Sequence, residues 1–171
     1  MITIRSECPA DRHMVEAVTR QAFLNHPHSG HTEHLIVDGL RLAGALTISL
    51  VAERAGQVVG HIAFSPVTVS DGSTGWYGLG PVSVAPACQG QGIGRTLVEH
   101  GLACLRDGGA QGCVLLGEPS FYGRFGFVHQ PGLYLAGVPQ DFFLALPFGT
   151  TLAQGQVVYH AAFGIDAETV S

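Results

Sequence analysis

Residues 72–94 contain no charged side chain, yet glycines and two prolines interrupt them so often that no continuous helix can form there. No other feature limits the fold of this chain as much. An uncharged run of this length would ordinarily suggest a membrane span, but the helix breakers exclude one, and no purely apolar run approaches the roughly 20 residues a span needs. The segment reads instead as buried backbone: a strand through Leu79-Gly80-Pro81-Val82-Ser83-Val84-Ala85, a turn through Gln89-Gly90-Gln91-Gly92, and a helix opening at Ile93. Such a junction aims several backbone N–H groups at one point beside the positive end of a helix, where phosphate binds.

Composition narrows the chemistry. Of 171 residues only 12% are charged, about half the usual share, and the eight basic residues are all arginine. Without lysine there is no P-loop lysine, no Schiff base and no lysine general base. A net charge of −5 with scattered arginines argues against nucleic-acid binding. Met1-Ile2-Thr3-Ile4-Arg5-Ser6-Glu7 lacks the apolar core of a signal peptide. Cys8, Cys88, Cys104 and Cys113 are spaced neither as a zinc ribbon nor as a redox pair. The expectation is a cytoplasmic protein with reduced thiols, with neither nucleic acid nor membrane as partner.

Periodicity supplies the other elements. Residues 2–4 suggest a first strand; Met14, Val15, Val18, Ala22 and Phe23 share one helix face after Pro9. Leu35, Ile36, Gly39, Leu40 and Ala43 suggest a second helix capped by Ser29 or Thr32. Residues 48–53 and 58–69 read as a hairpin, with Gly60 and Pro66 as irregularities. Ile93, Leu97, Gly101, Leu102 and Leu105 give a helix that Asp107-Gly108-Gly109 can end, residues 112–117 a short buried strand, and residues 119–124 a short helix. Pieces around Tyr134, Phe142-Phe143-Leu144 and Val157-Val158-Tyr159 read as closing strands. No linker or repeat appears, so the expectation is one α/β domain over residues 1–171, antiparallel at first and βαβ at its centre.

Spacing separates the families that could use the glycine turn. A Walker A loop would need glycine and lysine where Gln89 and Arg95 stand, and a dinucleotide fingerprint would need glycine at Arg95. The segment instead resembles the acetyl-CoA signature of the GNAT N-acetyltransferase superfamily, Gln/Arg-x-x-Gly-x-Gly/Ala, met by Gln89, Gly92 and Gly94. A second motif, Phe121-Tyr122-Gly123-Arg124-Phe125-Gly126-Phe127, resembles the Tyr-x-x-x-Gly-Phe of the same superfamily. Residues 116–127, with 33–41 and 159–163, look like its YhbS-like branch. The resemblance implies the GNAT acyltransferase fold: a central mixed, mostly antiparallel, twisted sheet flanked by helices. It implies acetyl-CoA as co-substrate, no metal, an amine acceptor that is a small molecule or a peptide, and it allows a homodimer. Its pyrophosphate would be held by backbone N–H groups of Gln91, Gly92, Ile93, Gly94, Arg95 and Thr96, with Gln89 and Gly90 in the same cofactor-binding loop, and its pantetheine arm by the backbone of Val82, Ser83 and Val84. Tyr122 would be the general acid for the departing thiolate, a phenol of pKa about 10 facing a thiol of about 8.5. The asparagine that many of these enzymes place near the fifth strand is missing, since Asn25 is the only one in the chain.

An amine attacks a thioester only when unprotonated, so a base is expected. Glu118, at the end of the central strand, is the first candidate, against a reading as a helix cap; Glu33, at the start of the second helix, is another. Arg95 and Glu99, one turn apart, read as a surface pair. His26, His28, His31 and His34 read as a polar loop near the substrate mouth rather than a metal site. Cys88 reads as packing rather than as an acyl acceptor. The alternative to an enzyme is a CoA-binding or acyl-CoA-binding sensory module that keeps the fold without turnover.

Overall fold

A computed structural model describes residues 1–26, 29 and 31–164. Strand β1 is Thr3–Ser6; a single 3-10 turn, Pro9–Asp11, leads into helix α1, Arg12–Phe23. Arg5 holds this start in place by donating to Asp11 at 2.7 and 2.9 Å and to Glu53 at 3.0 Å. That pairing, with a further hydrogen bond from the Cys8 N–H, keeps the Asp11 carboxyl well below its ordinary range. Helix α2, Glu33–Leu42, has Thr32 at its N-cap, one of the two expected positions, but the Thr32 side chain makes no cap bond; the Thr32 carbonyl accepts from the Leu35 and Ile36 N–H groups. The Ser29 hydroxyl donates instead to the Glu33 carboxylate at 2.6–2.7 Å.

Strands β2 (Ile48–Arg54) and β3 (Gln57–Pro66) form the expected hairpin, but its second arm is shorter than the pattern suggests. After Pro66 the chain leaves the sheet, and Thr68–Val69 becomes β4 of a second sheet. Strand β5, Trp76–Val84, begins earlier than expected and leads to a 3-10 turn, Pro86–Cys88, and to helix α3, Ile93–Asp107. Next come β6 (Gly112–Leu116), the one-turn helix α4 (Pro119–Tyr122), a 3-10 turn over Gly123–Phe125, and β7 (Val128–His129). The closing strands are β8 (Leu133–Tyr134), β9 (Phe143–Pro147) and β10 (Gly155–Val158).

The main sheet runs β1-β2-β3-β5-β6-β9-β7, and its only parallel neighbours are β5 and β6, joined by α3. The expected βαβ centre is therefore present. The closing strands divide differently from expectation: β9 and β7 extend the main sheet, while β10 pairs with β4 and β8 in a three-stranded sheet. Period-2 patterning cannot distinguish the two destinations, because each of these strands buries one face either way.

Helix α3 packs on one face of the sheet, against Phe64, Ile62, Leu79 and Leu115. Glycine makes this approach close. A Cβ at Gly60 would stand 3.1 Å from both Ile93 Cγ2 and Leu97 Cδ1, and one at Gly101 would collide with the Phe64 ring. Helix α1 covers β3 and β5 from the opposite face, and α2 packs beneath the Ala161–Phe163 turn. Because Phe64 is fully buried, its ring has nowhere to yield. Gly101→Ala should therefore destabilise the fold by about 1–2 kcal/mol, overpacking outweighing the gain in helix propensity; urea unfolding measures it.

Candidate active site

Register places an opening between β5 and β6. The two strands pair only at Trp76↔Gly112, Tyr77↔Cys113 and Gly78↔Val114. Beyond Gly78, β5 stays with β3 while β6 stays with β9, so facing edges of backbone are left without a strand partner. On β5, Gly80 and Pro81 together stand opposite the single residue Ala63. A bulge of this kind bends a strand and ends pairing.

The mouth of the opening is the glycine turn. Gly90 and Gly92 have φ of +76° and +84°, a conformation that side chains with a Cβ rarely adopt. Gly92 precedes the first turn of α3, so the N–H groups of Ile93, Gly94 and Arg95 have no partner within the helix. The Thr96 N–H does have one, the Gly92 carbonyl at 3.1 Å, and its hydroxyl donates to the same oxygen at 2.9 Å. Among the residues expected to hold a phosphate, Thr96 thus has its donors engaged. Gln89 braces the turn by donating to the Val84 carbonyl at 3.0 Å.

Gly94 tests whether a ligand fits. A Cβ there would meet only Val84 Cγ2, at 3.8 Å, so the protein's own packing does not require glycine at this position. The bare Cα faces a groove of about 390 Å³ lined by Val84, Cys88, the glycine turn, Phe121 and Arg124. A phosphate-ended ligand could enter as far as the backbone there. A somewhat larger hollow, about 440 Å³, lies elsewhere, at the β1–β2 edge beside Glu7 and Arg41. The smaller one adjoins the N–H groups of Ile93, Gly94 and Arg95 that have no helical partner, so the chemistry favours it.

The fold brings two cations to the groove that sequence distance had hidden. Arg54, at the end of β2, donates to Gln91 Oε1 at 2.7 Å and to Cys88 Sγ at 3.8 Å. Arg124 lies 4.9 Å over the Phe121 ring. Neither has a carboxylate partner among the described residues, whereas Arg95 pairs with Glu99 at 3.8 Å as expected. Pairing across a hairpin and the turn after α4 would have been the signals.

Tyr122 does not line the outer groove; it stands behind Phe121, against the end of β6. A Cβ at Gly117 would be 2.6 Å from Tyr122 Cε2, so that glycine makes room for the ring. Phe121 meets it edge-on at 4.9 Å and Phe127 at 6.2 Å. Gly126, at φ +100°, ends the 3-10 turn and lets Phe127 enter the core. Burial raises the Tyr122 phenol above its ordinary pKa, and the nearby Cys113 thiol adds to this.

Glu118 is exposed, and its side chain makes no cap of α4; only its carbonyl is used, by the N–H groups of Phe121 and Tyr122. Glu33 accepts from Ser29. His34 is buried, His26 meets the Phe23 ring at 5.8 Å, and His28 lies outside the described residues. Among the described residues no three histidine, cysteine, aspartate or glutamate side chains converge as metal ligands do.

A sheet opened beside its parallel pair, with an amide-lined turn at the mouth and a phenol inside, belongs to the class of acyltransferases. Residues 46–129 match the model of the acetyltransferase (GNAT) domain. The chain is 41% identical to the Escherichia coli (strain K12) N-acetyltransferase YhbS over 125 residues, 72% of each chain. In structure it resembles a GNAT family acetyltransferase from Brucella melitensis solved with acetyl-CoA, with a TM-score of 0.86 and 52% identity over 95% of this chain and 98% of that one. The E. coli YhbS structure in complex with CoA gives a TM-score of 0.87 at 35% identity, over 95% of this chain and 92% of the other. The chain belongs to the GNAT acetyltransferase family.

The two glycines at the start of α3 should respond differently to alanine. Gly92→Ala should cost about 1–2 kcal/mol in urea unfolding, because its φ is left-handed. Gly94→Ala should change stability by no more than about 0.5 kcal/mol.

Proposed function

We propose that this chain is an acetyl-CoA-dependent N-acetyltransferase that moves an acetyl group directly to a primary amine of a small molecule or peptide. The observation that carries the reading is the departure of β5 from β6, which connects the glycine turn at one end with Tyr122 at the other. Backbone N–H groups of Gly92, Ile93, Gly94 and Arg95 hold the pyrophosphate, with Arg54 and Arg124 adding charge. The unpaired edge of Val82, Ser83 and Val84 receives the amide groups of the pantetheine arm, as a neighbouring strand would.

Acetyl-CoA supplies an activated acyl carbon bonded to a good leaving thiolate. Tyr122 gives a proton to the sulfur as the carbon–sulfur bond breaks and the carbon–nitrogen bond forms. The nitrogen loses one proton and the sulfur gains one, so the products are an amide and a free thiol. Because its pKa is raised, Tyr122 remains a proton donor throughout the neutral range. Glu118 and Glu33 are the carboxylates we assign as candidate bases for the nitrogen's proton, directly or through water. The chain's four free cysteines fit a reducing, cytoplasmic setting, and no described helix is long and apolar enough to cross a membrane.

Acetyl-CoA at a hundred times its dissociation constant should stabilise the fold by about 2.7 kcal/mol. Gly94→Leu should abolish that thermal shift while leaving the apo protein folded; a wild-type protein without the shift would remove the cofactor assignment. Tyr122→Phe should leave the shift intact and lower turnover about 10²-fold, read as thiol release against a panel of amines, amino acids, polyamines and peptides. Undiminished turnover in that variant would show that Tyr122 is not the acid.

A further inference from the structure

We propose that Arg54 is a positioning residue for the cofactor: by gripping Gln91 from the neighbouring hairpin, it holds the glycine turn in the shape that aims its N–H groups into the groove. The proposal rests on the acetyl-transfer reading above and deepens it at one point, the origin of the turn's shape.

Glycine loses more backbone freedom on ordering than any other residue, so a glycine-rich turn needs something to hold it. This one has little of its own. Gln89 is tied by its N–H to the Pro86 carbonyl and by its side chain to the Val84 carbonyl, and the Gly92 carbonyl accepts from Thr96. Between those two anchors, the backbone N–H and C=O groups of Gly90 and Gln91 meet no partner among the described residues. One hydrogen bond crosses from this pair to the rest of the protein, from Arg54 Nη2 to Gln91 Oε1 at 2.7 Å. Arg54 Nη1 reaches the Cys88 Sγ at 3.8 Å. Arg54 therefore touches the turn on both sides of Gln89 and Gly90.

A grip of this kind depends on a firm base. Arg54 is the last residue of β2 and pairs with Gln57, the first of β3. The two residues between them, Ala55 and Gly56, have φ of +52° and +79°. Left-handed angles at both central positions give the tight two-residue turn whose twist suits a hairpin, so Arg54 projects from a stiff end. The same hairpin seats the elements that flank the glycine turn. The Ala85 N–H donates to the Val59 carbonyl at 2.8 Å, and Ile93 and Leu97 come within 3.1 Å of where a Gly60 Cβ would stand. Strand β3 thus fixes the two ends of the segment, and Arg54 fixes its middle.

The chemistry suits the task. A guanidinium stays charged at every working pH and presents its donors in a rigid fork, so one side chain can serve two acceptors. Gln91 offers it the amide oxygen, the only acceptor on that side chain. Phosphate binding needs several N–H groups to converge at once; a turn already held in that shape loses less freedom on binding, and the difference appears as affinity. The charge of Arg54 favours the same ligand without any help from Gln91. The two contributions are therefore separable, because only the positioning one disappears when Gln91 is removed.

A double-mutant cycle of Arg54→Met and Gln91→Ala makes the separation, with the acetyl-CoA dissociation constant measured by titration calorimetry. Gln91→Ala should raise that constant roughly threefold to tenfold in the wild-type background and change it by less than about twofold in the Arg54→Met background. Gln91 is exposed, so Gln91→Ala should unfold at the wild-type urea concentration, which keeps a loss of affinity distinct from a loss of fold. Its kcat at saturating acetyl-CoA, read as thiol release with the most reactive amine, should equal that of wild type, because the acyl end is untouched. Wild-type affinity in Gln91→Ala, an equal loss in both backgrounds, or a lowered kcat at saturation overturns the proposal. A wild-type protein that binds no acetyl-CoA removes the cofactor reading itself, and this role with it; one that binds while Gln91→Ala is neutral removes the positioning role alone.

Discussion

The parting of β5 from β6 is the constraint on which the rest depends. Two strands joined through α3 would pair along their whole length if β5 ran straight. Gly80 and Pro81 opposite Ala63 prevent this, and β5 follows β3 instead. A sheet opened at its centre loses ladder hydrogen bonds, so something else must hold its halves. Helix α3 does so, spanning from Ile93 and Leu97 against Gly60 to Leu102 and Leu105 in the same core as Cys113 and Leu115. The glycine turn inherits its position from these two elements, since it begins where β5 ends and finishes where α3 starts.

Charge is distributed to the same end. Four of the eight arginines are engaged by carboxylates: Arg5 with Asp11 and Glu53, Arg41 with Glu7 and Asp38, Arg20 with Glu16, and Arg95 with Glu99. Arg54 and Arg124 are not, and both face the turn. In a chain of net charge −5 this leaves a locally positive mouth. A field of this kind favours the approach of a polyanion and acts mainly on the rate of association. In the proposed reading the close contacts come from backbone amides, which need no lysine.

Much of this was legible in the sequence because it is local. The strand, turn and helix through residues 72–94 and the phenol motif at residues 121–127 are each carried by one short continuous stretch. The positive φ of Gly90, Gly92 and Gly126 is the kind of demand that only glycine meets cheaply. What was not legible depends on long-range pairing. Arg54 approaches Gln91 across a hairpin, and the division of the closing strands between two sheets depends on which edge is free when they arrive. The place of Tyr159 follows from the same pairing, because β10 must first return to β4 to bring that residue over Gly78.

The glycines of β5 and its turn therefore serve two different physical needs. Gly90 and Gly92 provide conformation: in the protein alone a Cβ would touch nothing, and only the backbone angle forbids it. Gly78 and Gly94 provide space, one for the Tyr159 ring and the other, in the proposed reading, for a ligand at the start of α3. The distinction separates what substitution would do, since a conformational glycine resists every L-residue whereas a spatial one resists in proportion to size. It also explains why charge is absent from this stretch. Side chains here would fill the room that Tyr159 takes and that the proposed cofactor site needs, so the segment offers main chain there and leaves the cations to Arg54 and Arg124 at its margins.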